Sequence, residues 1–133
     1  MDGRVALITG GSKGLGYAMG LKFAKSGAQV ALAARTEAEV RQAALSITQT
    51  TGQKAVGYAC DVANADDIKQ LHQAVTTDFE RIDILVNNAG FAKAGAFESV
   101  TDDEWQYDLD LKLMAAVRLS RLVLPSMKAN RWG

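Results

Sequence analysis

The sequence holds one cysteine, one proline and one histidine among 133 residues, and no excess of charge of either sign. Each scarcity excludes something. A single cysteine, Cys60, cannot close an internal disulfide, and a reducing compartment suits it. Fifteen Lys and Arg balance fifteen Asp and Glu, which leaves no basic footprint for nucleic acid or an anionic membrane. No apolar run approaches the ~20 residues of a membrane span. The N-terminal MDGRVALITG carries an early Asp and too short an apolar run for a signal peptide. The reading is therefore cytoplasmic, with neither nucleic acid nor membrane as a partner and no metal site. The length suits one domain with a real core, spanning residues 1–133.

What is present is an alternation of two periods. Arg4–Thr9 is a short continuous apolar run, the mark of a strand buried on both faces. Gly14–Ser26 then carries Leu15, Ala18, Met19 and Phe23 at helical spacing. Strands are read again at Ala28–Ala34, Lys54–Cys60 and Ile82–Val86, and helices at Thr36–Thr50 and Asn64–Phe79. Thr36 with Glu39, and Thr101 with Glu104, have the spacing of capping boxes. A Gly/Ala-rich loop, Phe91–Val100, leads to helical pattern running to about Asn130, in which Pro125 is expected to make a kink. The order βαβαβαβα requires parallel pairing through right-handed crossovers. The expected fold is a doubly wound α/β parallel sheet, a Rossmann fold, ending after the helix that follows the fourth strand. That leaves the fourth strand without its expected neighbour on one side. Met114, Val117 and Leu122 are expected to form an uncovered face of the last helix, so that the chain self-associates.

The loop TGGSKGLG, Thr9 to Gly16, admits three chemistries. A phosphate-binding P-loop needs Lys and Ser/Thr after its last glycine, and Tyr17 and Ala18 stand there instead. A hydrolase nucleophile elbow is matched by Gly10-Gly11-Ser12-Lys13-Gly14, but its serine needs an acid and a histidine downstream. The one histidine, His72, lies beside the apolar stripe of the third helix. A dinucleotide loop needs a strand, a tight turn, glycines where the backbone meets pyrophosphate, and a helix whose first amides bind the anion. All of these are present, although the spacing here is G-x-x-x-G-x-G at Gly10, Gly14 and Gly16.

TGGSKGLG at the first turn, CDV at the end of the third strand and NNAG at the end of the fourth together resemble the short-chain dehydrogenase/reductase family. The resemblance runs through the whole chain and implies hydride transfer with NAD(H) or NADP(H), on a small-molecule carbonyl or alcohol, often by a homo-oligomer. Carried over, it implies that Gly10, Ser12, Gly14, Leu15 and Gly16 line the pyrophosphate and ribose. Asp61 and Val62 would hold the adenine, and Asn87, Ala89 and Gly90 would flank a ribose. At the end of the second strand, Ala34 occupies the position where an NAD site wants a carboxylate, and Arg35 follows. With Lys13 in the loop, this favours NADP(H) over NAD(H), because paired charged hydrogen bonds accommodate a 2′-phosphate.

The family's chemistry uses a Ser and a Tyr-x-x-x-Lys pair, which the resemblance places beyond a fifth strand. Here Tyr17 is followed four residues later by Leu21, Tyr58 by Val62 and Tyr107 by Leu111. The family's Asn, seven residues after a Trp, is replaced by Lys112, seven after Trp105. Two readings stand. One is the cofactor-binding half of an NADP-dependent oxidoreductase, inactive alone. The other is a non-catalytic nucleotide-binding or interaction module ending at Gly133.

Overall fold

Apolar runs too short for helices need cover on both faces. The computed structural model, which describes residues 1–92 and 94–133, supplies it. The strands are β1 (Val5–Thr9), β2 (Gln29–Ala34), β3 (Ala55–Ala59) and β4 (Ile84–Val86), in the order β3-β2-β1-β4 and all parallel. Between them run α1 (Gly14–Lys25), α2 (Glu37–Thr51) and α3 (Ala65–Phe79). After β4 come a short 3₁₀ turn (Phe97–Ser99), α4 (Asp102–Leu109), a wide π turn (Asp110–Met114) and α5 (Ala115–Ala129).

Side chains of successive strand residues point to opposite faces. Val5 and Leu7 of β1 accordingly join a core with α3 and α5, while Ile8 joins a second core with α1 and α2. The inner face of α3 contributes Ile68, Leu71, Val75 and Phe79, and that of α5 contributes Ala115, Leu119 and Val123. Every residue of β1 is buried, whereas β3 and β4, at the two ends of the sheet, are only half-buried. The result is a doubly wound Rossmann sheet. The chain steps outward from β1 to β3 and then returns to put β4 on the other side of β1. That reversal opens a crevice at the carboxyl ends of β1 and β4, where ligands of such sheets bind.

Four local expectations change. The fourth strand begins at Ile84 rather than Ile82, because Asp83 turns its carboxylate onto the Val5 N–H at 2.9 Å. Thr101 and Glu104 form a capping box, but Thr36 makes no capping bond. The Glu39 carboxylate lies 3.8 Å from Lys13 Nζ instead. The long terminal helix is interrupted by the π turn, not at Pro125, through which α5 runs continuously. Its uncovered face is also different. Leu122 packs against the core and Met114 is half-buried, while Leu109, Leu113, Val117 and Leu124 are exposed. Leu122 lies five residues from Val117, about 140° around a helix, whereas Leu124 lies two turns on and nearly in line.

Asp83 is buried beneath Arg4 and Arg81, both of which pair with it. Burial alone would raise its pKa. The hydrogen bonds from Arg81, the Val5 N–H and Arg4 outweigh that and hold the carboxyl below its usual value. A depressed folded pKa contributes stability that is present above the unfolded value, about 3.9, and is lost as pH falls through the folded value. Asp83→Asn should therefore lower stability by about 1–3 kcal/mol near neutral pH, the range for hydrogen bonds to charged groups when the partners can still reach water. The difference should shrink as the pH falls below about 4. Urea unfolding at both pH values reads it, and a difference that does not change with pH would contradict it.

Candidate functional site

The crevice is built by fastening two loops together. Thr9, the last residue of β1, is buried; its hydroxyl donates to the Val86 carbonyl and accepts from the amides of Asn88 and Ala89, each at 3.0 Å. The Asn88 side-chain amide donates back to the carbonyls of Thr9 and Gly10, at 2.9 and 3.2 Å. NNAG thus caps the start of TGGSKGLG. Gly10 has φ +65° and faces Ala89 and Asn88 so closely that a Cβ would meet both at about 3 Å. At Gly16 a Cβ would strike the Gly10 carbonyl oxygen, so only glycine lets α1 approach the turn this closely.

The cavity at this junction measures about 540 Å³. Gly10, Ser12, Lys13, Leu15 and Gly16 line it from the loop, and Arg35 from the end of β2. Asp61 and Val62 line it after β3, and Ala89 and Gly90 after β4. Gly14 and Asn87 do not: Gly14 begins α1 with φ +58°, and Asn87 is exposed just past β4. Lys112 is also elsewhere. It lies in the π turn, paired with Asp108 at 2.7 Å, and borders a second cavity of about 730 Å³ with Trp105 and Phe97.

Electrostatically, α1 differs from its neighbours. Its first turn has no acidic residue and no side-chain cap. The first turns of α2, α3 and α4 all carry acids, and Asn64 caps α3 through the amides of Asp66 and Asp67. The first amides of a helix have no intrahelical acceptor and sit at the positive end of its dipole. In α1 they open onto the crevice.

Around this core the site is arranged for shape and hydrogen bonding. Asp61 Oδ1 accepts from the Ala63 amide at 3.0 Å, which sets the turn after β3. Cys60 is buried beside it; burial first, then Asp67 and Asp61, push its thiol up to about 12, so it is inert at neutral pH. Asp110 is held by Gln106 and Arg118, and Arg118 also reaches the Ala63 carbonyl at 3.3 Å. This ties the π turn to the turn after β3 and directs Leu111 into the crevice wall. The serine-hydrolase alternative has no support here. His72 sits on α3, lines neither cavity, and has its imidazole pKa lowered by burial. Among the described residues no group of three metal-binding side chains gathers, and no helix is long and apolar enough to cross a membrane.

Reasoning from sequence missed Thr9, Asn88, Thr36, Phe91 and Leu111. Asn88 stood inside a quoted motif, but strand alternation stops at Val86 and gave no way to rank it above Asn87. Leu111 enters the wall only because of the π turn, which has no sequence signature.

The geometry agrees with the comparisons. The short chain dehydrogenase family matches residues 4–133. A 3-oxoacyl-[acyl-carrier-protein] reductase of Vibrio cholerae is 35% identical over 133 residues, covering 100% of this chain and 53% of that protein. The L-sorbose reductase of Gluconobacter frateurii, solved with NADPH and L-sorbose, superimposes with TM-score 0.93 at 39% identity, covering 97% of this chain and 49% of that one. A metagenomic short-chain oxidoreductase solved with NADP gives TM-score 0.94 at 34% identity, covering 100% and 60%. The chain thus spans about half the length of the curated relatives it matches. Its matched span, its glycine loop and its sheet order agree, and the chain belongs to the short-chain dehydrogenase family of oxidoreductases.

Proposed function

We propose that the chain is the cofactor-binding part of an NADP(H)-dependent oxidoreductase that reduces a carbonyl or oxidises an alcohol. The observation that carries this is the uncapped, acid-free start of α1 facing a crevice whose β2 side presents Arg35 and Thr36. When bound, the nicotinamide gives or takes the hydride. The chain's own residues do the holding. The first amides of α1, with Gly10, Ser12, Leu15 and Gly16, take the pyrophosphate and ribose, while Gly14, with φ +58°, shapes the turn into α1. Asp61 accepts from the adenine amino group and Val62 packs on the ring. Ala89 and Gly90 flank the second ribose. Arg35 and Lys13 take the 2′-phosphate, with the Thr36 hydroxyl, left out of capping, beside them. Ala34 offers a 2′-hydroxyl no carboxylate. Calorimetric titration tests the reading: NADP(H) should bind at least about tenfold more tightly than NAD(H), one charged hydrogen bond's worth. Equal affinities overturn the preference.

The partner we propose is a second copy of this chain. Trp105, Leu109, Leu113, Val117 and Leu124 are all exposed along one helical edge, and β4 pairs with β1 alone among the described residues. Exposed apolar side chains along one helical edge favour burial against a partner. Light scattering should report a dimer or larger species, and a clean monomer at high concentration overturns the assignment.

A further inference from the structure

Arg35 does more than line the crevice. Its Nη1 donates to the Tyr107 hydroxyl at 3.4 Å, and its guanidinium lies 5.6 Å from the centroid of the Phe91 ring. The Phe91 and Tyr107 rings are themselves 6.3 Å apart. Arg35 follows β2, whereas Phe91 and Tyr107 belong to the loop after β4 and to α4, and β1 lies between β2 and β4. The contact therefore runs over the end of β1, where the glycine loop begins, and joins Arg35 on the β2 side of the crevice to Phe91 on its β4 side and to Tyr107, which lines the second cavity. All three side chains are at least partly exposed, so each is free to let go.

We propose that this bridge is a latch, with Tyr107 and Phe91 as positioning residues that hold Arg35 across the mouth until the dinucleotide takes its place. The inference rests on the proposed cofactor site. Turning the guanidinium onto a phosphate on the β2 side would draw it away from the Tyr107 hydroxyl on α4 and the Phe91 ring. A dinucleotide that fills the crevice from Asp61 to Gly90 passes beneath the same bridge. The bridged and bound arrangements exclude each other, so the apparent affinity is the intrinsic affinity reduced by the fraction of molecules unlatched. The latch acts on every dinucleotide, whatever its 2′ group. Arg35, once released, would be available to hold a 2′-phosphate, a group NAD(H) lacks.

The test is a double-mutant cycle on the whole chain, read by calorimetric titration with NADP(H) and with NAD(H). Tyr107→Phe should tighten both cofactors by the same factor, about two- to fivefold for one exposed contact of this kind, and leave their ratio unchanged. In an Arg35→Ala background Tyr107→Phe should do nothing. Arg35→Ala alone should tighten NAD(H) by that same factor. Unchanged or weaker binding in Tyr107→Phe, or an effect that persists without Arg35, overturns the latch. The NADP(H) preference of the unaltered chain is a separate reading from the same titrations, so the latch can fail while the preference stands, and the reverse.

Discussion

Purified and folded, the 133-residue chain is expected to bind NADP(H) yet consume no NADPH when offered ketones, aldehydes or β-ketoacyl thioesters. A carbonyl that accepts hydride develops negative charge on oxygen, which must be protonated or hydrogen-bonded as it forms. General acid catalysis of that kind supplies about 10²–10⁴-fold. The chain has three tyrosines, none with a lysine four residues on. The structure engages all three elsewhere. Tyr17 shares a hydrogen bond with Ser46 at 3.0 Å, on the α1–α2 face. Tyr58, on the end strand β3, donates to Asp78 at 2.6 Å, and burial together with that bond raises its pKa and keeps it neutral. Tyr107 accepts from Arg35, and although it shares the second cavity with Lys112 the two make no hydrogen bond among the described residues. Lys112 pairs with Asp108 at 2.7 Å. Turnover that survives repurification and vanishes in Lys112→Ala or Tyr107→Phe would show that a different constellation carries the chemistry.

Arg35→Ala should weaken NADP(H) binding about 10- to 150-fold, equivalent to ~1.5–3 kcal/mol for a charged hydrogen bond to phosphate. NAD(H), lacking the phosphate, should shift by less than about fivefold and in the opposite direction. The magnitude rests on Arg35 being the principal cation available to the 2′-phosphate. Lys13 is a weaker partner: it is 83% exposed and lies 3.8 Å from Glu39, so its charge is screened by solvent and partly answered already. Lys13→Ala should accordingly cost less than Arg35→Ala, and the reverse ranking would move the phosphate to the glycine loop.

Much of this was legible without coordinates because it follows from short-range rules. Continuous apolar runs such as VALIT must be covered on both faces, and helices between them force parallel strands, so the doubly wound sheet was determined by period and order. The glycine loop was legible because few residue types fit where α1 meets Gly10. Capping was read correctly where the partner is local, as for Thr101 and Glu104, and incorrectly where a distant charge competes, as Lys13 does for Glu39.

Tertiary structure alone decided which polar groups meet across the crevice. Thr9 and Asn88 are 79 residues apart and lock the two loops together, and Arg35 reaches Tyr107 across 72 residues. The π turn redirects Leu111, and the exposed stripe keeps Val117 but takes Leu113 and Leu124 in place of Met114 and Leu122. Sequence period specifies which face of an element is buried. It carries no information about which strand ends become neighbours once the sheet reverses direction, and this site is made at that reversal.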